Sequence, residues 1–328
     1  MKAAVFEDIK KIVFHTEYPN PTIGPDDVLI QTKFCGICGS DLHNFKFKMY
    51  QTPLIMGHEL SGVVKETGKN VKGFKPGHNV CGINVKLDIS GGKLGGLGIF
   101  ENGGFAEYVK APEKYVFHVP TSISLKEAIM IESFANITRA MKLSQITDNE
   151  KILIIGGGNI GLCFLTTFLV NKSPEYVVVI EPQSFLRKKA LEFGASDAFP
   201  PRKTKIKKYL KQQGSPTFIF DCVANQDTIL LSIDVVERGG TLLLEGIHKG
   251  TIEFPAFLIN SKEISIKGCL GHDREDILRA IELIKTNEIN LSKFITNTVK
   301  LENLQQVFTS YLEEEDRDFI KNVVEIGD

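Results

Sequence analysis

The 328-residue chain is short of several things, and each shortage removes a class of function. Its six cysteines (35, 38, 81, 163, 222 and 269) are sparse and irregularly spaced, which argues against a disulfide framework and for a reducing cytosol. Charge of one sign is missing too: 39 Lys plus Arg face 40 Asp plus Glu, a net charge of −1. That balance gives no electrostatic case for nucleic acid or for an acidic membrane surface. The densest basic run, Arg202 to Lys211, reads as the solvated face of a short helix. The N-terminal MKAAVFEDIK has no signal-like apolar core, and no apolar run is long enough to cross a bilayer. There is no internal repeat and no low-complexity tract. What remains is the composition of a soluble globular protein, 42% hydrophobic and 24% charged, with enough chain for two domains.

The most informative stretch is 151–181. Lys151 to Ile155 is an apolar run rich in the β-branched residues that suit a buried strand. Gly156-x-Gly158-x-x-Gly161 follows and runs into an apolar segment, Ile160 to Val170, long enough for a helix. A second β-branched run, Tyr176 to Ile180, ends in Glu181. In a dinucleotide site each glycine has a task. Gly156 makes the tight turn, Gly158 admits the pyrophosphate to the backbone, and Gly161 lets helix and strand pack closely. The N–H groups opening the helix, at Asn159 and Ile160, then face an anion. Glu181, twenty residues after Gly161, stands where a carboxylate can hydrogen-bond a ribose diol. Glycine turns alone are common, but here strand, helix, second strand and acid occur in order.

Around this motif the chain changes character. Residues 1–34 alternate short apolar runs with turn signals, and strands are expected again at Leu60–Val64, Asn79–Ile83 and Phe105–Lys110. Residues 84–104 are glycine-rich and read as a loop. Leu125 to Leu143 has helical spacing and contains Glu132. After Glu181 the expected elements alternate: helix at Phe185–Phe193, strand at Thr217–Val223, helix at Gln226–Val236, and strands at Gly240–Gly246 and Glu263–Leu270. Such alternation specifies a doubly wound parallel sheet. The tail, with a helix near Ile277–Ile284 and a strand at Lys321–Ile326, is too small to stand alone and is expected to return to the N-terminal β domain. The expected organisation is therefore α/β: a mainly antiparallel β domain of 1–143 and 272–328, with a dinucleotide-binding domain of 144–271 inserted in it.

Ligand-type side chains concentrate in the first domain. Residues 35–43 read Cys-Gly-Ile-Cys-Gly-Ser-Asp-Leu-His, and Gly57-His58-Glu59 follows. A catalytic zinc needs three protein ligands and one open position, and Cys38, His58 and Glu132 are of the right types, with Glu59 a second carboxylate beside His58. Cys35-x-x-Cys38 also suits a redox dithiol or half of a structural site, although no second CxxC completes the latter.

The run Cys38-Gly-Ser-Asp-Leu-His43, then Gly57-His58-Glu59, the strand-linked glycine motif and the domain order together resemble the zinc-dependent medium-chain alcohol and polyol dehydrogenases, over essentially the whole chain. The resemblance implies a GroES-like catalytic domain and a Rossmann domain. It implies Cys38 as thiolate ligand, His58 as imidazole ligand, Glu132 as the carboxylate of sorbitol dehydrogenase-like members, and Glu59 as the acid next to the metal. It also implies Ser40 as the hydroxyl touching the substrate oxygen, His43 as the outer end of a proton relay, and Asp41 as the acid orienting His58. Two departures stand out. Residues 82–104 contain no cysteine, so a four-cysteine structural zinc is not expected, and Ser133 stands where such members usually have proline.

The expected activity is reversible oxidation of a secondary alcohol, polyol or sugar to the carbonyl. Hydride passes to a nicotinamide, and the proton leaves through Ser40 and His43. Glu181 favours NAD over NADP, since a carboxylate accepts from a diol and repels a 2′-phosphate; Arg187 reads as a surface charge. One rival is a zinc-free quinone or enoyl reductase of the same build, another a non-catalytic nucleotide-binding protein. Phe45, Tyr50 and the 84–104 loop are the expected pocket walls. Asp221 is either a cofactor-side residue or a cap, and Cys163, Cys222 and Cys269 are expected to be buried. No role falls to His15, His78, His118, His248 or His272. The apolar run Ile264–Leu270 could extend a sheet across a two-fold axis in a homodimer or homotetramer.

Overall fold

A computed structural model of the chain describes residues 1–84, 96–248, 250–286, 289–313 and 318–327. The expected loop at 84–104 thus lies partly outside the described residues. Two compact units emerge, one of Met1–Glu132 with His272–Glu315 and Phe319–Asp328, the other built on Ser133–Gly271.

In the first unit the strands are β1 (Ala3–Asp8), β2 (Lys11–His15), β3 (Asp27–Gly36), β4 (Leu54–Ile55), β5 (Glu59–Thr67), β6 (Asn79–Ile83), β7 (Tyr108–Pro112) and β8 (Val116–His118). One helix, α1 (Gly39–Phe47), interrupts them, and α2 (Leu125–Ala128) and α3 (Met130–Ser144) follow. The single helix expected over Leu125–Leu143 is thus two. Ser124 and Glu127 cap the first reciprocally, and the chain restarts at Met130, which puts Glu132 in a first helical turn. The division between the units falls in that turn, upstream of the expected 143/144 boundary.

The second unit continues with β9 (Lys151–Ile155), α4 (Asn159–Asn171), β10 (Tyr176–Ile180), α5 (Ser184–Glu192), β11 (Asp197–Phe199) and α6 (Lys203–Gln213). It closes with β12 (Phe218–Asp221), α7 (Gln226–Val235), β13 (Thr241–Leu244), α8 (Ala256–Lys262) and β14 (Ser265–Gly268). Its sheet runs β11-β10-β9-β12-β13-β14 with every pairing parallel. Strands covered by helices on both faces need apolar side chains throughout, and all five residues of β10 are buried. The strand order reverses between β9 and β12, and a crevice opens at such a switch point.

The chain then returns to the first unit through α9 (Arg274–Lys285), β15 (Ile295–Lys300), α10 (Leu304–Glu313) and β16 (Lys321–Glu325). There β16 pairs antiparallel with β3, with Val323 opposite Gly36, in the order β15-β16-β3-β5-β6-β8, and β7 also pairs with β3. All pairings in that sheet are antiparallel except β15 with β16. The core beneath it includes Phe6, Phe45, Phe105 and Phe308. Phe45 is 0% exposed and packs against Phe308 at 5.2 Å between ring centroids, so it is a core residue and not the expected pocket wall.

Candidate active site

Two constructions carry the chemistry, one in each unit. In the first unit the chain leaves β3 and turns into α1 at Cys38, which is the N-cap residue of that helix. Asp41, three residues on, accepts the Cys38 N–H at 2.9 Å. The same carboxylate lies 3.6 Å from His58 Nδ1, and both side chains are buried. Glu59 opens β5 opposite Gly36 of β3, and His58 immediately precedes the strand. The effect is to gather Cys38, His58 and Glu59 so that one ligand atom from each lies within 4.8 Å of the others.

Electrostatics follow from burial. Desolvation pushes the His58 pKa down, but the Asp41 carboxylate and the Cys38 sulfur override it and leave it well above the ordinary range. Glu59 is 1% exposed. Burial raises its pKa, Lys321 opposes the rise, and the Glu132 charge adds to it. Glu132 itself is buried in the first turn of α3, outside the group of three; its Oε1 lies 4.0 Å from His272 Nδ1. Ser40 is half-buried, with its Oγ 3.5 Å from His58 Nε2. His43 is exposed on α1, its ring edge-on to Phe47. Tyr50 is half-buried against Phe100, and Cys35 is fully buried, its thiol pKa pushed far up by desolvation.

Two participants escaped the sequence reading. Lys321 is 3% exposed and sets its Nζ 2.6 Å from Glu59 Oε1 and 2.5 Å from Oε2. The available signal was a lysine opening a terminal strand whose centre is Val323–Val324. His272, given no role, is 3% exposed, and burial lowers its pKa to about 4. It lies next to a glycine turn, which resembles any other loop.

In the second unit Gly156 adopts φ +96, which a side chain resists. A Cβ on Gly161 would lie 1.9 Å from the Gly156 carbonyl oxygen. A Cβ on Gly158 would meet nothing within 4 Å, so the backbone there faces open space at the N-terminus of α4. Asn159 and Ile160 are half-buried in the first turn, and Asn159 Nδ2 donates to Ser133 Oγ at 2.8 Å. Glu181, 6% exposed, accepts Gly157 N–H and Gln183 N–H at 2.8 Å each, through different oxygens. Arg187 Nη1 donates to the backbone oxygens of Glu181 and Pro182. Asp221 Oδ1 accepts the Val223 and Ala224 N–H groups in the turn after β12, and the N-cap of α7 is Asn225. All six cysteines are unbridged; Cys163 and Cys269 are buried, whereas Cys222 is only half-buried.

The donor chemistry fits zinc: a half-buried sulfur with a buried imidazole and a buried carboxylate forms the mixed set that binds this ion. The carboxylate behind the imidazole is the usual outer partner of a metal-binding histidine. No helix among the described residues is long and apolar enough to cross a membrane.

Comparison with known proteins agrees. Residues 24–121 match the family described as Alcohol dehydrogenase GroES-like domain, and residues 160–286 the family described as Zinc-binding dehydrogenase. The chain is 29% identical to D-xylulose reductase of Saccharomyces cerevisiae, over 94% of this chain and 93% of that protein. Among solved structures it is similar to 2R,3R-butanediol dehydrogenase of Bacillus subtilis, with 25% identity, a TM-score of 0.88 and 99% of both chains covered. It is also similar to a protein of Sinorhizobium meliloti 1021 described as a zinc-binding dehydrogenase and solved with NADP. There the identity is 26% and the TM-score 0.89, covering 99% of this chain and 98% of the other. The expected mainly antiparallel GroES-like domain and parallel Rossmann sheet are both present, and the chain belongs to the zinc-binding alcohol and polyol dehydrogenases, oxidoreductases that act on CH–OH groups.

Proposed function

We propose that this protein reversibly oxidises a secondary alcohol, polyol or sugar with NAD, at one zinc per chain. The observation that carries the reading is the convergence of the half-buried Cys38 with the buried His58 and Glu59, with Glu132 close enough to act electrostatically on Glu59. We assign 1–143 and 272–328 to the catalytic domain and 144–271 to the cofactor domain. Cys38 and His58 are the fixed donors, and Glu59 or Glu132 supplies the carboxylate. When bound, the zinc makes an alcohol O–H acidic and the nicotinamide accepts hydride.

The chain's own residues do the rest. Ser40 Oγ, beside His58, receives the substrate proton, and His43 on the exposed face of the same helix returns it to water. Asp41 holds the imidazole in one orientation. Gly156, Gly158 and Gly161, with the N–H groups of Asn159 and Ile160, receive the pyrophosphate. Glu181 faces the ribose end and favours NAD. The Sinorhizobium relative was solved with NADP, so this choice needs its own test. A polyol or sugar is supported by the xylulose reductase and butanediol dehydrogenase relatives. A homodimer or homotetramer is the assembly we favour. Among the described residues β14 pairs only with β13, and Leu270 beyond it is 58% exposed. The unbridged thiols suit the cytosol.

The test is metal content after purification without added metal, then NAD reduction across alcohols, polyols and sugars. About one zinc per chain with NAD-linked turnover is expected. Cys38→Ala and His58→Ala should lose metal and turnover together while the circular dichroism stays native. Turnover in metal-free protein, or activity confined to quinones or enoyl compounds, would overturn the reading.

A further inference from the structure

Lys321 is the least expected group at the site. It enters from the C-terminal strand and is almost wholly buried, and its ammonium contacts both oxygens of one candidate ligand, at 2.6 and 2.5 Å. A third contact, 3.3 Å to the Ile37 carbonyl oxygen, fixes the ammonium from the other side. The strand is anchored there as well, since Ile37 N–H donates to the Asn322 carbonyl at 3.0 Å. Gly36 closes the arrangement: a Cβ at that position would lie 2.0 Å from Glu59 Oε2, so the carboxylate occupies the space a side chain would take.

A carboxylate that accepts a hydrogen bond from a buried ammonium through Oε1, with Oε2 at 2.5 Å from the same nitrogen but without a hydrogen bond, is a weakened donor to a metal. The fixed positive charge opposes a second, divalent charge at short range. We infer that Lys321 is a positioning residue that holds Glu59 between itself and the metal, making Glu59 a displaceable donor and setting how tightly the Cys38–His58 site retains its ion. This rests on the metal reading proposed above. It assigns the lysine a function that neither ligand type nor sequence spacing indicates. Outer partners of metal ligands commonly change affinity by about 10- to 100-fold, which sets the size of effect to look for.

The experiment uses the full chain loaded with Co2+, whose visible absorption reports the donor set. Release to excess chelator is followed for the wild type, Lys321→Met, Lys321→Gln, Lys321→Arg and the Glu59→Gln/Lys321→Met double variant. With the charge removed, Met and Gln should release the ion at least tenfold more slowly than wild type, with altered absorption from a firmer carboxylate. Arg should behave like wild type. The double variant should lose the slowing, because the effect passes through Glu59. Lys321→Gln keeps a hydrogen-bond donor and serves where the Met variant does not fold. Unchanged release and spectra in both neutral variants overturn the inference and leave the metal reading intact. Failure of the wild type to give a thiolate-to-cobalt band overturns both.

Discussion

Asp41 Oδ1 stands 3.6 Å from His58 Nδ1, while the other oxygen of the same carboxylate accepts the Cys38 N–H at 2.9 Å. One buried acid therefore orients both donors that the sequence proposed for the metal. Asp41→Asn keeps the shape and removes the charge. It should weaken zinc affinity by about 10- to 100-fold, in line with outer-partner substitutions generally. Competition with a chromophoric chelator measures this, and unchanged affinity would show that the helix turn alone positions the pair.

Gly158 and Gly161 should separate cleanly. Alanine at Gly161 places a Cβ 1.9 Å from the Gly156 oxygen, so the close approach of α4 to the strand is lost along with stability. Alanine at Gly158 meets no protein atom and finds an ordinary φ of −76, so the variant should melt like wild type. Its KM for the cofactor should rise at least tenfold, a loss on the order of 1.4 kcal/mol of binding. Thermal melts and cofactor titration of the two variants decide this.

Glu181 is tied to Gly157 and Gln183 through different oxygens, so it shapes the glycine turn as well as the ribose site. Glu181→Ser should raise the ratio of NADP to NAD kcat/KM by about tenfold or more by removing the carboxylate's repulsion. It should also cost roughly 1–3 kcal/mol of stability, chiefly where the buried Gly157 N–H loses its acceptor. A cofactor ratio that does not move would remove Glu181 from the specificity argument.

His272 has a pKa of about 4 in the folded chain, against an ordinary 6.5, because burial disfavours the cation. The unfolded chain therefore binds the extra proton between these values, and stability falls as the pH drops from about 6.5 toward 4. The full loss is roughly 3 kcal/mol. His272→Asn should flatten this part of the profile in metal-free protein, and denaturant midpoints from pH 4 to 7 measure it. Parallel profiles for variant and wild type would contradict the assignment.

The nucleotide sheet was legible because its information is local. Ile152–Ile155 and Tyr176–Ile180 are buried apolar runs, and the glycines fall where a turn must be tight. The site was legible by residue type only in part: Cys38 and His58 come together, but the carboxylate grouped with them is Glu59, and Glu132, the carboxylate expected first, lies outside the group. What the sequence did not convey depends on distant pairing. The helix α1 escaped because a nine-residue element carrying serine, aspartate, histidine and asparagine has no apolar stripe. Lys321 escaped because only the register of β16 against β3 places it beside Glu59. Phe45 was misread for a similar reason: an aromatic near the ligand run looks like a pocket wall until Phe6 and Phe308 close over it.

The pairing of β16 with β3 also bears on the order in which the protein is made. Ser133–Gly271 is one uninterrupted stretch and can pack while the ribosome is still at work, since domains fold as units during synthesis. The Glu59 carboxylate, by contrast, waits for a lysine encoded 262 positions later. A truncated or stalled chain thus buries an acid without its cation. On the role inferred for Lys321, such a chain would hold its ion more firmly than the finished one, and completion of synthesis is what makes the Glu59 donor displaceable.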